Sequence, residues 1–202
     1  MTRDRVPDGE LAAIVTHLEM RQASAAPMPE GTLRLSRVAQ PTPDQYRAIF
    51  RKVGARWLWF SRLVMDDARL ESIITSPAVE LYEVTAVEAV VGMLELDFRN
   101  AGECELAFVG LVPELSGQGH GRWLLARALD LAWRDSITRV HVHTCTLDHP
   151  AALPAYLRAG FKAVRREVEH FPDPRLAGIL PADCAPQVPL LGTLTCAEAP
   201  AS

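Results

Sequence analysis

Residues 104–125 read Cys104-Glu-Leu-Ala-Phe-Val-Gly110-Leu-Val-Pro113-Glu-Leu-Ser-Gly117-Gln-Gly119-His-Gly121-Arg-Trp-Leu-Leu125. An apolar strand-like run meets a proline, then three alternating glycines, then the start of an amphipathic run. The order implies a strand that stops, a tight turn with N–H groups facing outward, and a helix that begins at once. Glycines allow the positive φ angles and close backbone approach that such a turn needs. The first turn of the helix adds unpaired N–H groups and a positive dipole end, so Gly117 through Gly121 form a candidate phosphate cradle. In isolation the same residues would also serve as a plain strand–helix connection.

The flanking segments narrow the choice. Upstream, Val79–Ala86, Val90–Phe98 and Cys104–Val112 are strand-like runs joined by short turns, which predicts an antiparallel meander. A dinucleotide site needs a parallel sheet at this point, and a P-loop needs Gly-Lys-Ser or Gly-Lys-Thr; the chain has neither arrangement. Downstream, a helix is expected over roughly Gly119–Asp135, a strand over Thr138–Thr146, a helix from Pro150 to about Ala159, and a strand over Phe161–Phe171. Ahead of the meander lie a strand at Leu33–Val38 and two helices. One is capped by Thr42 or Asp44 and ends at Gly54; the other runs from Asp66-Asp67 to Ile74. Between them Trp57-Leu-Trp-Phe-Ser-Arg62 is an aromatic cluster that suits either core packing or a binding patch.

At the N-terminus, Asp8 is placed to cap a helix with Leu11, Ile14, Val15 and Leu18 on one face, ending near Arg21. Ala23–Glu30 then reads as a linker, and the chain after Pro172 as a proline- and alanine-rich tail. The expectation is an N-terminal helix and linker over 1–30, one α/β (α+β) domain over 31–171 with a mixed, mostly antiparallel sheet flanked by helices, and a tail over 172–202.

The bulk composition excludes several classes. With 202 residues, 49% hydrophobic and 23% charged, the chain suits one well-buried domain. A formal charge of -4 gives no electrostatic ground for a nucleic-acid or anionic-membrane partner. Cys104, Cys145, Cys184 and Cys196 form no Cys-x-x-Cys pair, which argues against a zinc or disulfide framework and for a reducing cytoplasm. No signal-like apolar core follows the N-terminal charges, and no eighteen apolar residues run together. His141, His143 and Cys145 share one strand face and have ligand chemistry, but no further ligands accompany them, so no metal is expected. A Cys–His nucleophile pair is the other reading of these residues.

Pro113 followed by Ser116-Gly117-Gln118-Gly119-His120-Gly121 resembles the acyl-CoA-binding motif of the GNAT superfamily of N-acetyltransferases. That pattern is Gln or Arg, two residues, Gly, any residue, Gly or Ala, with a proline three residues before it. Ser116 stands where the family has Arg or Gln. The family's second motif, an Asn-initiated helix with Ala, Tyr and Gly-Phe, is matched by His149-Pro-Ala-Ala152-Leu-Pro-Ala-Tyr156-Leu-Arg-Ala-Gly160-Phe161, with His149 in the Asn position. The predicted order of elements from Leu33 to about Phe171 also resembles that fold.

The resemblance implies acetyl-CoA as cosubstrate, with its pyrophosphate on Ser116, Gly117, Gln118, Gly119, His120, Gly121 and Arg122, and with His149 nearby. It further implies that main-chain groups of Val109, Gly110 and Leu111 bind the pantetheine and polarise the thioester, on a strand that splays from its neighbour. Gly110 itself predicts a bulge or a close backbone approach. Tyr156 matches the tyrosine that protonates the departing thiolate. Glu105 sits where some members carry a carboxylate base, and Glu103, on the same strand face, is its rival. The implied acceptor is a small-molecule or protein amine, and the resemblance leaves a homodimer open. A non-catalytic acyl-CoA-binding regulatory module is the alternative from another class.

Overall fold

The computed structural model describes residues 3–23 and 27–192. Seven strands form one sheet, β1 (Glu10–Met20), β2 (Arg34–Arg37), β3 (Val79–Ala86), β4 (Ala89–Asp97), β5 (Glu103–Leu111), β6 (Arg139–Cys145) and β7 (Lys162–Pro172), in the order β2-β3-β4-β5-β6-β1-β7. All neighbours are antiparallel except β5 and β6. The helices are α1 (Pro43–Gly54), α2 (Asp67–Ile74), α3 (His120–Ala132) and α4 (Ala152–Ala159). The expected mixed, mostly antiparallel sheet flanked by helices is what forms.

Local chemistry explains the helix starts. The Thr42 hydroxyl accepts from Gln45 N at 3.3 Å while Thr42 N donates to Gln45 Oε1 at 3.4 Å, a reciprocal cap, and Pro43 occupies the first turn. Asp66 accepts from Arg69 N at 2.8 Å to open α2. The pleat then divides each strand's side chains between two layers. Tyr46 and Phe50 of α1 pack with Leu81 and Met93 on one face, whereas Leu124 and Ala128 of α3 pack with Leu94, Leu96 and Leu106 on the other. Each of these fully buried leucines contributes about 2 kcal/mol of transfer free energy.

The N-terminal helix expected over 8–21 is instead β1, an interior strand paired with both β6 and β7. Leu11, Ile14, Val15 and Leu18 satisfy a helical spacing, but the segment is extended: Ala13 and Val15 are buried around an exposed Ile14, and Thr16, Leu18 and Met20 are buried on the other face. The change of face between Val15 and Thr16 breaks the period-two alternation that marks an ordinary strand. The β-branched triplet Ile14-Val15-Thr16 favours the extended chain that forms.

After β7 the chain to residue 192 is irregular and folds back, with Leu180 and Ala185 packed on Leu58. Arg175 and Asp173 form a buried pair at 2.7 Å there, and Arg175 Nη1 also donates to Val188 O at 2.8 Å. Cys196 and part of the expected linker lie outside the described residues. Among the described residues, no helix is long and apolar enough to cross a membrane.

Candidate active site

β5 ends at Leu111, a short 3-10 turn spans Pro113–Leu115, and α3 starts at His120 with Gly119 as its N-cap. Gly117 and Gly119 have φ of +78° and +83°, a region that side chains with a Cβ avoid. Gly121 carries no such constraint. A Cβ built on Gly117, Gly119 or Gly121 would meet nothing within 4 Å, so internal packing does not explain the absence of side chains. What remains is an open concavity of backbone at a helix N-terminus, which fits a pyrophosphate.

These glycines line a cleft of about 1110 Å3, together with Arg122 and Arg158. Neither arginine has an ion-pair partner among the described residues. Gln118 and His120 do not line the cleft; Gln118 Nε2 donates to Glu114 O at 3.0 Å within the turn. The two departures from the family pattern meet each other. Ser116 Oγ lies 3.4 Å from His149 Nε2, and His149 Nδ1 accepts from Ala151 N at 3.0 Å. That second bond assigns the neutral ring's proton to Nε2, which donates to Ser116 and leaves the serine hydroxyl free to donate onward. The edge of Trp57 packs against the His149 ring at 4.9 Å. The α4 helix begins at Ala152, two residues after Pro150.

The splay expected along β5 is present and begins early. Pairing with β6 stops at Glu105↔His141, so the backbone edge beyond it opens onto the cleft, where Val109, Gly110 and Leu111 are lining residues. The bulge lies elsewhere than at Gly110. Glu95 pairs with Phe108 and Leu96 with Leu106, which leaves Ala107 as the extra residue. Gly110 meets the other half of its expectation, a close approach, since a Cβ there would stand 2.7 Å from Val53 Cγ1.

The candidate base Glu105 does not line the cleft, but His143 does, with its Nδ1 3.2 Å from Glu105 Oε1. The hydrogen bond from His143 holds the Glu105 carboxyl below its ordinary value, and the same bond raises the imidazole. Nδ1–H donating to the carboxylate leaves Nε2 as the acceptor. Glu103 is drawn instead to Arg139, at 3.1 Å. Tyr156 lines the same cleft and is 8% exposed; burial, with the charge of Asp148, pushes its phenol well above the ordinary value. Burial also pushes the Cys145 thiol up to about 11, so it is not an activated nucleophile. Among the described residues, no group of three or more His, Cys, Asp or Glu side chains could hold a metal ion.

The aromatic cluster packs into the core and also faces the cleft. Leu58 is buried, while Trp59 packs on Phe50 and Phe108 at ring distances of 5.5 and 5.2 Å and also lines the cleft. Trp59 Nε1 donates to Asp148 Oδ1 at 3.1 Å, and Asp148 Oδ2 accepts from Thr144 Oγ1 and Cys145 N at 2.7 and 2.8 Å. Asp148 thereby ties the loop to the end of β6. Beneath the loop, Arg62 Nη2 donates to the fully buried Glu95 at 2.6 Å, and the Tyr46 hydroxyl donates to the other carboxylate oxygen.

Comparison with known proteins agrees with this geometry. The model of the acetyltransferase (GNAT) family matches residues 50–161, whereas the comparison with curated proteins gives no match. A GCN5-related N-acetyltransferase from Sphaerobacter thermophilus is similar over 79% of this chain and 51% of its own, at 17% identity and a TM-score of 0.60. Another from Kribbella flavida is similar over 84% of this chain and 63% of its own, at 17% identity and 0.52. An aminoglycoside acetyltransferase from an uncultured soil metagenomic sample, in complex with sisomicin, is similar over 69% and 94%, at 15% identity and 0.53. The chain thus spans about half to under two thirds of the length of the first two. At these identities the likeness is one of fold. The family match spans more than half of the chain, and so the chain belongs to the GNAT family of acetyltransferases.

Proposed function

We propose that the protein transfers an acetyl group from acetyl-CoA to a primary amine by direct attack, with His143, held by Glu105, as the proton acceptor. The observation that carries this reading is the Glu105–His143 pair at 3.2 Å, whose imidazole lines the same cleft as Tyr156 and the glycine turn.

Acetyl-CoA supplies a thioester whose carbonyl carbon is open to a neutral amine. An alkyl ammonium has a pKa of about 10.4 and must first lose a proton. His143 Nε2 accepts that proton, and the Glu105 carboxylate stabilises the imidazolium that results. Outward N–H groups of β5 past Glu105, where pairing with β6 has ended, accept the charge that develops on the carbonyl oxygen. As the nitrogen–carbon bond forms and the carbon–sulfur bond breaks, Tyr156 donates a hydrogen bond to the leaving sulfur. Its raised pKa favours hydrogen bonding over full proton loss, so the proton that neutralises the thiolate comes from solvent or from His143. Gly117, Gly119 and Gly121, with Arg122 and Arg158, hold the pyrophosphate and remaining phosphate away from the reacting centre. The free thiols of Cys104, Cys145 and Cys184 support placing this reaction in the reducing cytoplasm.

The test is thiol release from acetyl-CoA over a panel of primary amines, with the N-acetyl product identified by mass spectrometry. Turnover that is lost in His143→Ala with CoA affinity retained supports the reading. Tight CoA binding with no turnover on any amine favours the regulatory module instead.

A further inference from the structure

The cleft is lined by charges of both signs. Arg122 and Arg158 accompany the glycine turn and α4, whereas the acidic lining residues are Asp130 of α3, Asp148 in the turn after β6 and Glu169 of β7. Of these, Asp148 is consumed by Trp59, Thr144 and the Cys145 amide. Glu169 is not. Its side chain has no hydrogen-bond or ion-pair partner among the described residues, and it lines the cleft beside His143. The register fixes the face it uses. Val15 is opposite Cys145 on β6 and Glu167 on β7, and Ala13 is opposite Glu169, so Glu169 projects on the same side of the sheet as Cys145 and His143. Glu169 also acts electrostatically on the His143 ring.

Glu169 is exposed, with His17, His143 and Glu167 beside it, and an aromatic wall stands next to it on the cleft side. Phe60 and Phe171 pack in a tilted pair at 5.0 Å between ring centroids, and Trp57, Trp59, Phe108 and Val15 are among the other lining residues. An aromatic wall of this kind packs on an apolar body and gives a further ammonium group placed against it no partner.

We infer that the acceptor is a primary amine carried on an apolar or aromatic body, captured by the Glu169 carboxylate against the Phe60–Phe171 wall and delivered to His143. The inference rests on the proposed acetyl transfer for its catalytic half, whereas its binding half concerns the cleft alone. Binding as an ion pair at Glu169 holds the ammonium until Nε2 of His143 takes its proton. The aromatic wall favours a phenylalkylamine over polycationic sugars and polyamines, whose further ammonium groups would lie against it.

The experiment has two arms on the full chain. In the first, kcat/KM is measured with acetyl-CoA for phenethylamine, spermidine and an aminoglycoside, for the native protein and Glu169→Gln. Phenethylamine is expected to be preferred, and Glu169→Gln to raise its KM about tenfold, with kcat and the KM for acetyl-CoA within about twofold. In the second, phenethylamine is titrated against tryptophan fluorescence in the presence of CoA, with Trp57 and Trp59 as reporters. Saturable quenching that Glu169→Gln weakens about tenfold is expected. Preference for spermidine or the aminoglycoside, or an unchanged KM in Glu169→Gln, overturns the inference and leaves acetyl transfer standing. Glu169-dependent quenching without turnover on any amine supports the acceptor class and overturns acetyl transfer. Absence of both quenching and turnover, in protein that still binds CoA, overturns both.

Discussion

His143 Nδ1 lies 3.2 Å from Glu105 Oε1 across the one parallel junction of the sheet, at the point where β5 and β6 separate. The bond raises the imidazole above its ordinary 6.5, so a base that must be neutral to work is fully available only above that pH. The acid limb of kcat/KM is therefore expected above 6.5 and should move to lower pH in Glu105→Gln, where the raising charge is gone. His143→Ala should lower kcat/KM by about 100-fold or more with CoA affinity unchanged. A pH profile of native and variant proteins checks both. An unmoved limb in Glu105→Gln would show that the pair does not govern proton transfer.

The same pair gives folding stability a pH window. Glu105 is lowered, so its contribution is present above its ordinary 4.5 and is lost as pH falls through the folded value. His143 is raised, so its contribution is full below 6.5 and is lost as pH rises through the folded value. Thermal unfolding from pH 4 to 9 should show the stability difference between native protein and Glu105→Gln peaking at about 5 to 6. A difference that grows steadily to pH 9 would contradict the pairing.

Gly121 separates ligand approach from backbone strain better than its neighbours do. Gly119 has φ of +83°, so a side chain there costs about 1 kcal/mol of folding strain whatever it does to a ligand. Gly121 has no positive φ and open space in front of it, so Gly121→Val should fold nearly as well as the native protein. The added methyl groups would occupy the concavity proposed to hold the phosphates. CoA affinity is expected to fall by at least about tenfold, by titration calorimetry, with Tm shifted by under about 4 °C. Full affinity in Gly121→Val would place the phosphates elsewhere.

The sequence carried different parts of this molecule with different clarity, for physical reasons. Thr42 and Asp66 announced their helices because a cap is a local bond between residues three apart. The β3–β4–β5 meander was legible from alternation and short turns. β1 was not, because its buried face changes between Val15 and Thr16 and breaks the alternation, and its apolar residues also fit a helix. The Glu105–His143 contact was not legible because it is made between strands. Alternation put Glu103 with Glu105 on one face of β5 and His141 with His143 on one face of β6. Only the parallel register, set by the crossover through α3, brings Glu105 to His143. Ser116 and His149 were legible as departures from a pattern, but their contact needed the fold.

Tyr156 is placed by α4 with its ring edge against Phe161, at 5.7 Å between centroids. The ring belongs to the core, whereas the phenol is the part assigned to the leaving sulfur. Tyr156→Phe keeps the ring and removes only the hydroxyl. Stability should change by under about 1.5 kcal/mol, and kcat should fall about 10- to 100-fold with little change in the KM for acetyl-CoA. Equal activity in the variant would reduce Tyr156 to a packing role.

The buried Glu95–Arg62–Tyr46 group lies behind the cleft wall, in contact with it through Phe108. Glu95 is fully buried, Arg62 donates to it at 2.6 Å, and the Phe108 ring sits 5.3 Å from the guanidinium. Burial and the Glu95 charge together push the Tyr46 phenol well above its ordinary value, so Tyr46 stays a neutral donor. Removing one partner strands the other charge. Arg62→Met should destabilise the protein by about 3–5 kcal/mol, whereas Arg62→Met combined with Glu95→Leu should recover much of that loss. Because Arg62 closes the segment that carries Trp57, Trp59 and Phe60, the double variant should regain stability while its KM for the amine stays raised. Urea unfolding with amine kinetics on the three variants tests this. A double variant with native KM would show that the pair holds the core but does not position the aromatic wall.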